Sequence, residues 1–215
     1  MRVLITGDIH GNLPALEKLL HQEKNEYDVF VSHGDVVNYG PWSNECVQLL
    51  ETLDNKTLLM GNHEENYLKR AYLGTHPVAK AFFEICLPAF EEFDVIKKYK
   101  ENTIVGDFMV RHTIDDQYIF PDSDLSDLNL ERNYIIGHSH YAFDREHKGR
   151  RIINTGSLGQ NRQYINQANY VFYDLETNEV ELRSFVYNVE VVLTEMKRRQ
   201  YPEICINYYS EKAKK

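Results

Sequence analysis

Residues 1–12, Met1-Arg2-Val3-Leu4-Ile5-Thr6-Gly7-Asp8-Ile9-His10-Gly11-Asn12, run from an apolar segment straight into glycine and polar side chains. The apolar part predicts a buried strand over residues 2–7, and the glycines predict a tight turn at its end. Asp8 and His10 are two residues apart, so an extended strand end directs both side chains to the same side. The stretch therefore predicts a strand that presents a carboxylate and an imidazole side by side, as a metal site requires.

Three more fragments place Asp, Asn or His directly after a glycine. They are Gly34-Asp35, Gly61-Asn62-His63-Glu64 and Gly137-His138-Ser139-His140. Apolar runs precede most of these fragments, so strands would aim the ligands and tight turns would bring them to one point. One fragment alone fits an ordinary polar turn or a buried histidine equally well. The four in this order predict a single two-metal site.

The residue types indicate which ions the site would hold. Histidine nitrogens with carboxylate and amide oxygens suit manganese, iron, zinc or nickel better than calcium, which prefers oxygen ligands alone. No cysteine belongs to the set, which argues against a closed structural zinc site. We therefore expect two divalent ions per chain, with manganese favoured. The carboxylate of Asp35 has two oxygens and could serve both ions.

The first half of the chain alternates predicted strands and helices. Strands are predicted over residues 27–32 and 56–60, and helices over residues 13–24 and 43–53. Such alternation predicts an α/β fold with parallel strands whose carboxyl ends carry the site. Residues 64–93 have a helical pattern rich in large apolar side chains. That pattern fits either a cap inserted over the cleft or helices packed on the sheet.

Strands dominate the second half, and we expect them to form a second sheet packed on the first. They are predicted at residues 103–111, 133–137, 151–154, 168–174 and 179–187. A closing helix is predicted over residues 189–199. Residues 206–215 include several lysines and predict a mobile polar tail, so we expect a single domain over residues 1–205.

Composition limits the classes of function. With 215 residues, of which 42% are hydrophobic, the chain suits one compact domain. The formal net charge of -9 argues against an extended nucleic-acid surface, although bound metals would still attract a small phosphorylated substrate. No apolar run is long enough for a membrane helix. Three widely spaced cysteines indicate a reducing compartment, and we expect the cytoplasm.

The fragments resemble the pattern of the calcineurin-like metallophosphoesterase superfamily, in which Asp-x-His, Gly-Asp, Gly-Asn-His-Asp/Glu, His and Gly-His-x-His follow in that order. The match runs from Asp8 to His140, with a further echo in Asn154-Thr155-Gly156-Ser157. It is closest to the small bacterial and archaeal phosphoesterases, in which Gly-Asp-Ile-His-Gly-Asn-Leu-Pro-Ala-Leu is a familiar stretch. The resemblance implies a four-layer α-β-β-α sandwich of two mixed sheets, here with a helical insertion.

The resemblance also implies a role for each matching residue. The first ion would be held by Asp8, His10, Asp35 and His140, and the second by Asp35, Asn62, His112 and His138, with Asp35 as the bridge. His63 resembles the general acid. His112 departs from the usual pattern, because Thr113 follows it where glycine is common. Asn38 and Tyr39 stand where protein serine/threonine phosphatases have Asp and Arg, which argues against that branch.

The chemistry implied is attack on phosphorus by a hydroxide shared between the two ions, with His63 protonating the leaving oxygen. Glu64 and Asn12 would orient the ligands through hydrogen bonds. Arg111 and Arg162 are either phosphate-binding groups or ordinary surface arginines. Candidate substrate contacts also include Tyr39, which would either stack on an organic group or simply pack.

The resulting hypothesis is a dinuclear phosphoesterase that hydrolyses phosphodiesters or phosphomonoesters of small molecules or nucleotides. One alternative is hydrolysis of dinucleoside polyphosphates, which requires residues that stack on the base. Another is a non-catalytic scaffold, because the superfamily includes a retromer subunit that uses this fold to bind partners. The presence of the full ligand set favours an enzyme. The oligomeric state stays open at this point.

Overall fold

The computed structural model describes all 215 residues, which fold around two five-stranded β-sheets. The strands are β1 (Arg2–Thr6), β2 (Val29–Ser32), β3 (Lys56–Leu58), β4 (Asn102–Val105), β5 (Phe108–Arg111), β6 (Asn133–Ile136), β7 (Ala142–His147), β8 (Arg150–Thr155), β9 (Gln167–Asp174) and β10 (Glu179–Val186). The α-helices are α1 (Leu13–Gln22), α2 (Ser43–Glu51), α3 (Asn62–Lys69), α4 (Pro77–Cys86), α5 (Phe93–Ile96), α6 (Val189–Arg198) and α7 (Glu203–Ser210).

The first sheet has the strand order β10-β9-β1-β2-β3, with β1, β2 and β3 parallel. The helices α1 and α2 connect these three strands, as the alternation of the first half predicts. β9 and β10 join the same sheet as an antiparallel pair beside β1. The prediction that every later strand enters a second sheet is therefore wrong for these two. Six consecutive residues of β9 are buried, which fits a strand covered on both faces.

The second sheet has the order β4-β5-β6-β8-β7, in which β5, β6 and β8 are parallel. The single strand predicted over residues 103–111 is instead a hairpin of β4 and β5. The chain reverses at Gly106, whose φ of +53° lies in the left-handed region that glycine adopts freely. β7 was not predicted, because half of its six residues are charged and its apolar alternation is weak.

Apolar side chains from both sheets form the core between them. Buried residues of this core include Val3, Ile5, Val110, Ile135 and Ile153. Helices cover the other face of the first sheet. On the second sheet the outer face is covered by the irregular segment 113–132, through side chains such as Ile119 and Leu125. The α/β sandwich of two mixed sheets is confirmed, with an irregular segment in the place of a helix on its outer layer.

Residues 64–93 form most of α3, all of α4 and the turn after it, and their large side chains enter the main core. Phe82 is fully buried and packs its ring against Tyr39, Tyr201 and Tyr209. Two of these partners come from the end of the chain. This helical segment therefore packs into the body of the domain.

The polar tail predicted over residues 206–215 begins with a packed helix, so that prediction is wrong for residues 206–210. α7 spans Glu203–Ser210, and both Cys205 and Tyr209 on it are fully buried. These two residues are four apart, which places them on one face of the helix against the core. No helix in the structure has the length and apolar character to cross a membrane.

Candidate metal centre

The predicted ligands follow the carboxyl ends of five strands, and the structure brings them together. Asp8 and His10 follow β1, Asp35 follows β2, Asn62 begins the helix after β3, His112 follows β5, and His138 and His140 follow β6. Asn62 is half-buried and the other six ligands are buried. Parallel strands explain the convergence, because their carboxyl ends share one edge of each sheet.

Backbone conformation at the ligands is unusual. Asp8, His10, Asp35, His138 and His140 all have φ between 47° and 69°, in the left-handed region that non-glycine residues rarely adopt. The turns that carry them hold one another in place. The Asp8 amide donates to the Gly34 carbonyl at 2.9 Å, and the His10 amide donates to the Asp35 carbonyl at 3.0 Å. Strained backbone maintained in this way is typical of functional sites.

A first group of ligand atoms lies around Asp8 and two imidazoles. Oδ1 of Asp8 is 3.0 Å from Nε2 of His140 and 3.7 Å from Nε2 of His10. The two Nε2 atoms are 3.1 Å apart. Oδ2 of Asp35 completes the group at 3.9 Å from Nε2 of His10. Asp8, His10 and His140 therefore offer one ion an oxygen and two nitrogens, and Asp35 lies beside His10 as a further oxygen.

A second group lies around His112. Its Nε2 is 3.0 Å from Oδ1 of Asn62, 3.1 Å from Nδ1 of His138 and 3.2 Å from Oδ2 of Asp35. The same oxygen of Asp35 thus belongs to both groups. A shared carboxylate oxygen is what a bridge between two ions needs.

The residues present fit bound cations. Nδ1 of His10 contacts the Val37 carbonyl at 3.1 Å, and Nδ1 of His140 contacts the Gln160 carbonyl at 2.8 Å. If both Nδ1 atoms carry the proton, the two Nε2 lone pairs face each other. Oδ1 of Asp8 is also buried without a hydrogen-bond partner. Lone pairs this close repel unless a positive charge lies between them, so the donor set suits a metal ion.

Burial and neighbouring charges both shift the pKa values of the site residues. Burial by itself raises the pKa of Asp35, but His112 and His63 outweigh it and hold that pKa well below its usual value. Burial lowers the pKa of His112, but Asp35 and Asp8 reverse the shift and raise it to about 9. Burial lowers the pKa of His138 to about 3. An ion entering the second group would therefore displace a proton from His112.

Glu64 anchors the turn that carries Asp35. Its carboxylate accepts hydrogen bonds from four backbone amides, at distances of 2.7 to 3.1 Å: those of Asp35, Val36, Val37 and Gly61. It is fully buried and ties the first turn of α3 to the loop after β2. Its effect on the ligands therefore passes through the backbone of Asp35.

The position of Asn12 shortly after Asp8 and His10 predicts that it orients those ligands. Its hydrogen bonds lie elsewhere. Its Oδ1 accepts from the Ala15 amide at 3.2 Å and so caps the start of α1. Its Nδ2 donates to the Gly159 carbonyl and to the Tyr187 hydroxyl, each at 2.8 Å. Asn12 therefore fixes α1 against the segment after β8, and it makes no hydrogen bond to a ligand side chain.

His63 is held by a short chain of hydrogen bonds. Its Nδ1 lies 2.9 Å from Nδ2 of Asn38, and the Tyr67 hydroxyl donates to Oδ1 of the same amide at 3.5 Å. With the amide in this orientation, Asn38 donates to Nδ1 and the proton of a neutral His63 ring lies on Nε2. That Nε2 is 3.9 Å from Oδ2 of Asp35. Burial lowers the pKa of His63 to about 3, although the Asp35 charge opposes the shift.

The three candidate substrate residues lie in different environments. Tyr39 is 7% exposed, and its ring packs 4.7 Å from the ring of His10, so it has little free surface for stacking. Arg111 is half-buried at the end of β5, and its side chain makes no hydrogen bond or ion pair. Arg162 lies two residues after the carbonyl that holds His140, with its Cζ 5.8 Å from the centroid of Tyr118.

Tyr118 is the residue near the ligands that the sequence did not indicate. Its ring stacks on the ring of His138, with centroids 3.9 Å apart and an interplanar angle of 29°. It lies in the irregular segment 113–132, which has no periodic pattern to mark it. The nearest signal in the sequence is its position shortly after His112.

Most of the chain is similar in sequence and fold to known proteins. A model of the family described as calcineurin-like phosphoesterases matches residues 1–181. An uncharacterised protein of Methanocaldococcus jannaschii is 28% identical, over 94% of each chain. A metallophosphoesterase of Sphaerobacter thermophilus has a similar crystal structure, with a TM-score of 0.79 and 25% identity over 98% of each chain. A symmetrical bis(5'-nucleosyl)-tetraphosphatase of Psychromonas ingrahamii is 35% identical over 32% of this chain and 26% of its own length.

Proposed function

The chain belongs to the calcineurin-like phosphoesterase family, and on that premise we propose that it hydrolyses phosphodiesters or phosphomonoesters of small molecules or nucleotides with two divalent ions. One observation carries this proposal: Oδ2 of Asp35 belongs to both groups of converging ligand atoms. Two ions bound there would supply a nucleophile at neutral pH and neutralise the phosphoryl oxygens.

The chain's own residues would orient the ions and handle the proton. Asp8, His10, Asp35 and His140 would hold one ion, and Asp35, Asn62, His112 and His138 the other. His63 would protonate the leaving oxygen through Nε2, the nitrogen that its contact with Asn38 leaves free. Because burial lowers the pKa of His63 to about 3, the negative charge of a bound phosphate would have to raise that pKa before the ring could carry the proton. Glu64 would keep Asp35 in register by fixing the backbone on either side of it.

Hydrolysis of dinucleoside polyphosphates is a second candidate activity. It is favoured by the likeness to the tetraphosphatase of Psychromonas ingrahamii, although that match covers about a third of this chain. The seven candidate ligands and His63 lie close together, which supports an enzyme over a scaffold role. We propose manganese as the favoured ion and the cytoplasm as the compartment. The three cysteines are all free, which is consistent with a reducing compartment.

The test is metal-dependent turnover of protein first stripped by a chelator. The substrates are para-nitrophenyl phosphate and bis-para-nitrophenyl phosphate, with manganese, nickel, zinc, iron or magnesium added back. We expect hydrolysis to return with an added ion, and the ratio of diester to monoester turnover identifies the type of ester. Asp35→Asn serves as the matched negative control. A protein that binds two ions per chain and hydrolyses neither ester would contradict the proposed function.

A further inference from the structure

His33 is a fully buried histidine that belongs to neither group of ligand atoms. It directly follows β2, and its ring fills a narrow slot between two glycines. A Cβ added to Gly7 would lie 2.2 Å from Nδ1 of His33, and a Cβ added to Gly137 would lie 2.1 Å from Cε1 of the same ring. Asp8 and His138 directly follow these glycines. The ring is therefore wedged between two turns that carry metal ligands.

One nitrogen of this ring faces Asp8. Nδ1 of His33 lies 3.9 Å from Oδ2 of Asp8 and is buried without a hydrogen-bond partner. A nitrogen lone pair this close to a buried carboxylate would be repelled by it, whereas an N–H group would be attracted. The contact with Asp8 therefore places a proton on Nδ1.

The other nitrogen faces Thr155, at the end of β8. Nε2 of His33 lies 2.7 Å from Oγ1 of Thr155, which is also fully buried. Burial favours the neutral form of an imidazole, and with the proton on Nδ1 the nitrogen Nε2 must accept. The Thr155 hydroxyl therefore donates to the ring and fixes its tautomer. The order of donors runs from Thr155 through His33 to Asp8.

The two oxygens of Asp8 have different surroundings. Oδ1 lies 3.0 Å from Nε2 of His140 and belongs to the first group of ligand atoms. Oδ2 accepts a hydrogen bond from the His138 amide at 3.0 Å and is the oxygen that faces His33. Rotation of the carboxylate would cost Oδ2 both contacts. The amide and the imidazole thus hold one oxygen and leave the other for an ion.

The stretch from Asn154 to Ser157, which the sequence pattern singles out without a role, supports the same arrangement. Nδ2 of Asn154 donates to the Gly137 carbonyl at 2.6 Å, and Oγ of Ser157 donates to the Asp8 carbonyl at 2.7 Å. Thr155, between them, contacts the imidazole. The stretch therefore fixes the backbone of both ligand turns and the ring that separates them.

We propose that His33, oriented by Thr155, is a positioning residue that keeps Oδ1 of Asp8 directed at the first ion and thereby sets the affinity of that site. This role rests on the proposed function, because it requires an ion at Asp8. Asp8 belongs to the first group of ligand atoms only, so loss of the contact should weaken one ion and spare the other. A role in general packing would give no such difference between the two ions.

The experiment measures the binding of manganese to chelator-stripped protein by calorimetry, with the ion content per chain determined by elemental analysis. Thr155→Val removes the hydroxyl at nearly constant volume. We expect it to weaken one manganese site by about 10- to 100-fold and to leave the other unchanged. Thr155→Ser keeps the hydroxyl and should restore the affinity. In an Asn62→Ala background, which lacks a ligand of the second group only, Thr155→Val should weaken the tighter site that remains.

Two substitutions of His33 separate the roles of its two nitrogens. The amide nitrogen of asparagine can take the place of Nδ1, and that of glutamine can take the place of Nε2. His33→Gln leaves no donor toward Asp8 and should lose about 10- to 100-fold in manganese affinity at the first site. We expect His33→Asn to retain more of that affinity. The opposite order would overturn the assigned direction of the contact.

Thr6→Val is the matched control. Thr6 is fully buried, and its hydroxyl donates to the Asn169 carbonyl at 3.4 Å. The change removes a buried hydroxyl, as Thr155→Val does, and should leave both manganese sites unchanged. Equal weakening of both sites in Thr155→Val, or the same loss in Thr6→Val, would overturn the role of His33. Turnover is a separate readout, because a native protein that binds two ions and hydrolyses neither para-nitrophenyl ester contradicts the proposed function alone.

Discussion

Gly61→Ala tests whether the site depends on the position of one carboxylate. Gly61 has φ -110° and ψ 174°, an extended backbone that alanine adopts without strain. A Cβ at this position would lie 2.1 Å from Oδ1 of Asp35 and 2.4 Å from the Asp35 amide nitrogen. Glycine is therefore required here by the close approach of the Asp35 turn.

The size of the effect follows from these distances. Ordinary van der Waals contact begins near 3.4 Å, so the methyl group and the carboxylate must separate by about 1.3 Å. A misplacement of about 1 Å in a catalytic group can cost about 100-fold in rate. Because both ligand groups share Asp35, we expect both ions to bind more weakly. Overpacking of this kind should also lower the free energy of unfolding by about 1–3 kcal/mol.

The assay measures metal content, turnover and stability on the same preparations. Gly149→Ala is the stability-matched control: its Cβ would meet nothing within 4 Å, but its φ of +71° should cost alanine about 1–2 kcal/mol. We expect the Gly149→Ala control to keep two bound ions and full turnover. We expect Gly61→Ala to lose its bound ions and its turnover. If Gly61→Ala were as destabilised as the control yet held two ions and turned over normally, the reasoning from Asp35 would be refuted.

Two further substitutions separate catalysis from packing. His63→Asn should keep both ions and lower turnover of esters with poor leaving groups by about 10²–10⁴-fold, with a smaller loss on para-nitrophenyl esters. Equal losses on both kinds of ester, measured in steady state, would argue against His63 as the acid. Phe82→Ala should lower the free energy of unfolding by about 3–5 kcal/mol in urea denaturation, because it empties a fully buried ring site, while metal content stays at two ions. A loss below about 1 kcal/mol would show that α4 is not packed as described.

Six of the seven candidate ligands lie next to a local signal in the sequence, and His112 was nominated by the family resemblance. A strand's hydrophobic pattern and the glycine after it are both short-range features, and they recur at Asp8, Asp35 and His138. The order of these fragments then matched one family. Where the local signals are weak or misleading, the prediction from sequence fails. β7 was not predicted, and the hairpin of β4 and β5 was predicted as a single strand.

The roles of Asn12 and of the chain's end were decided by packing. Asn12 directly follows the first ligand turn, yet its hydrogen bonds cap α1 and hold Gly159. Residues 211–215 are polar, but α7 carries an apolar face: Cys205 and Tyr209 are buried, and Ile206 and Tyr208 pack partly buried against the core. The core surface that this face meets decides that the segment is a docked helix.

The sequence by itself determined which atoms could bind metal and that they follow strand ends, since turn chemistry and strand periodicity depend on neighbouring residues. The tertiary structure alone decided that one oxygen of Asp35 belongs to both ligand groups and that Asn38 fixes the His63 ring. These contacts join residues far apart in the chain, and their distances depend on how two sheets and seven helices pack. That packing follows from burial of apolar surface across the whole domain, which no local stretch of sequence encodes.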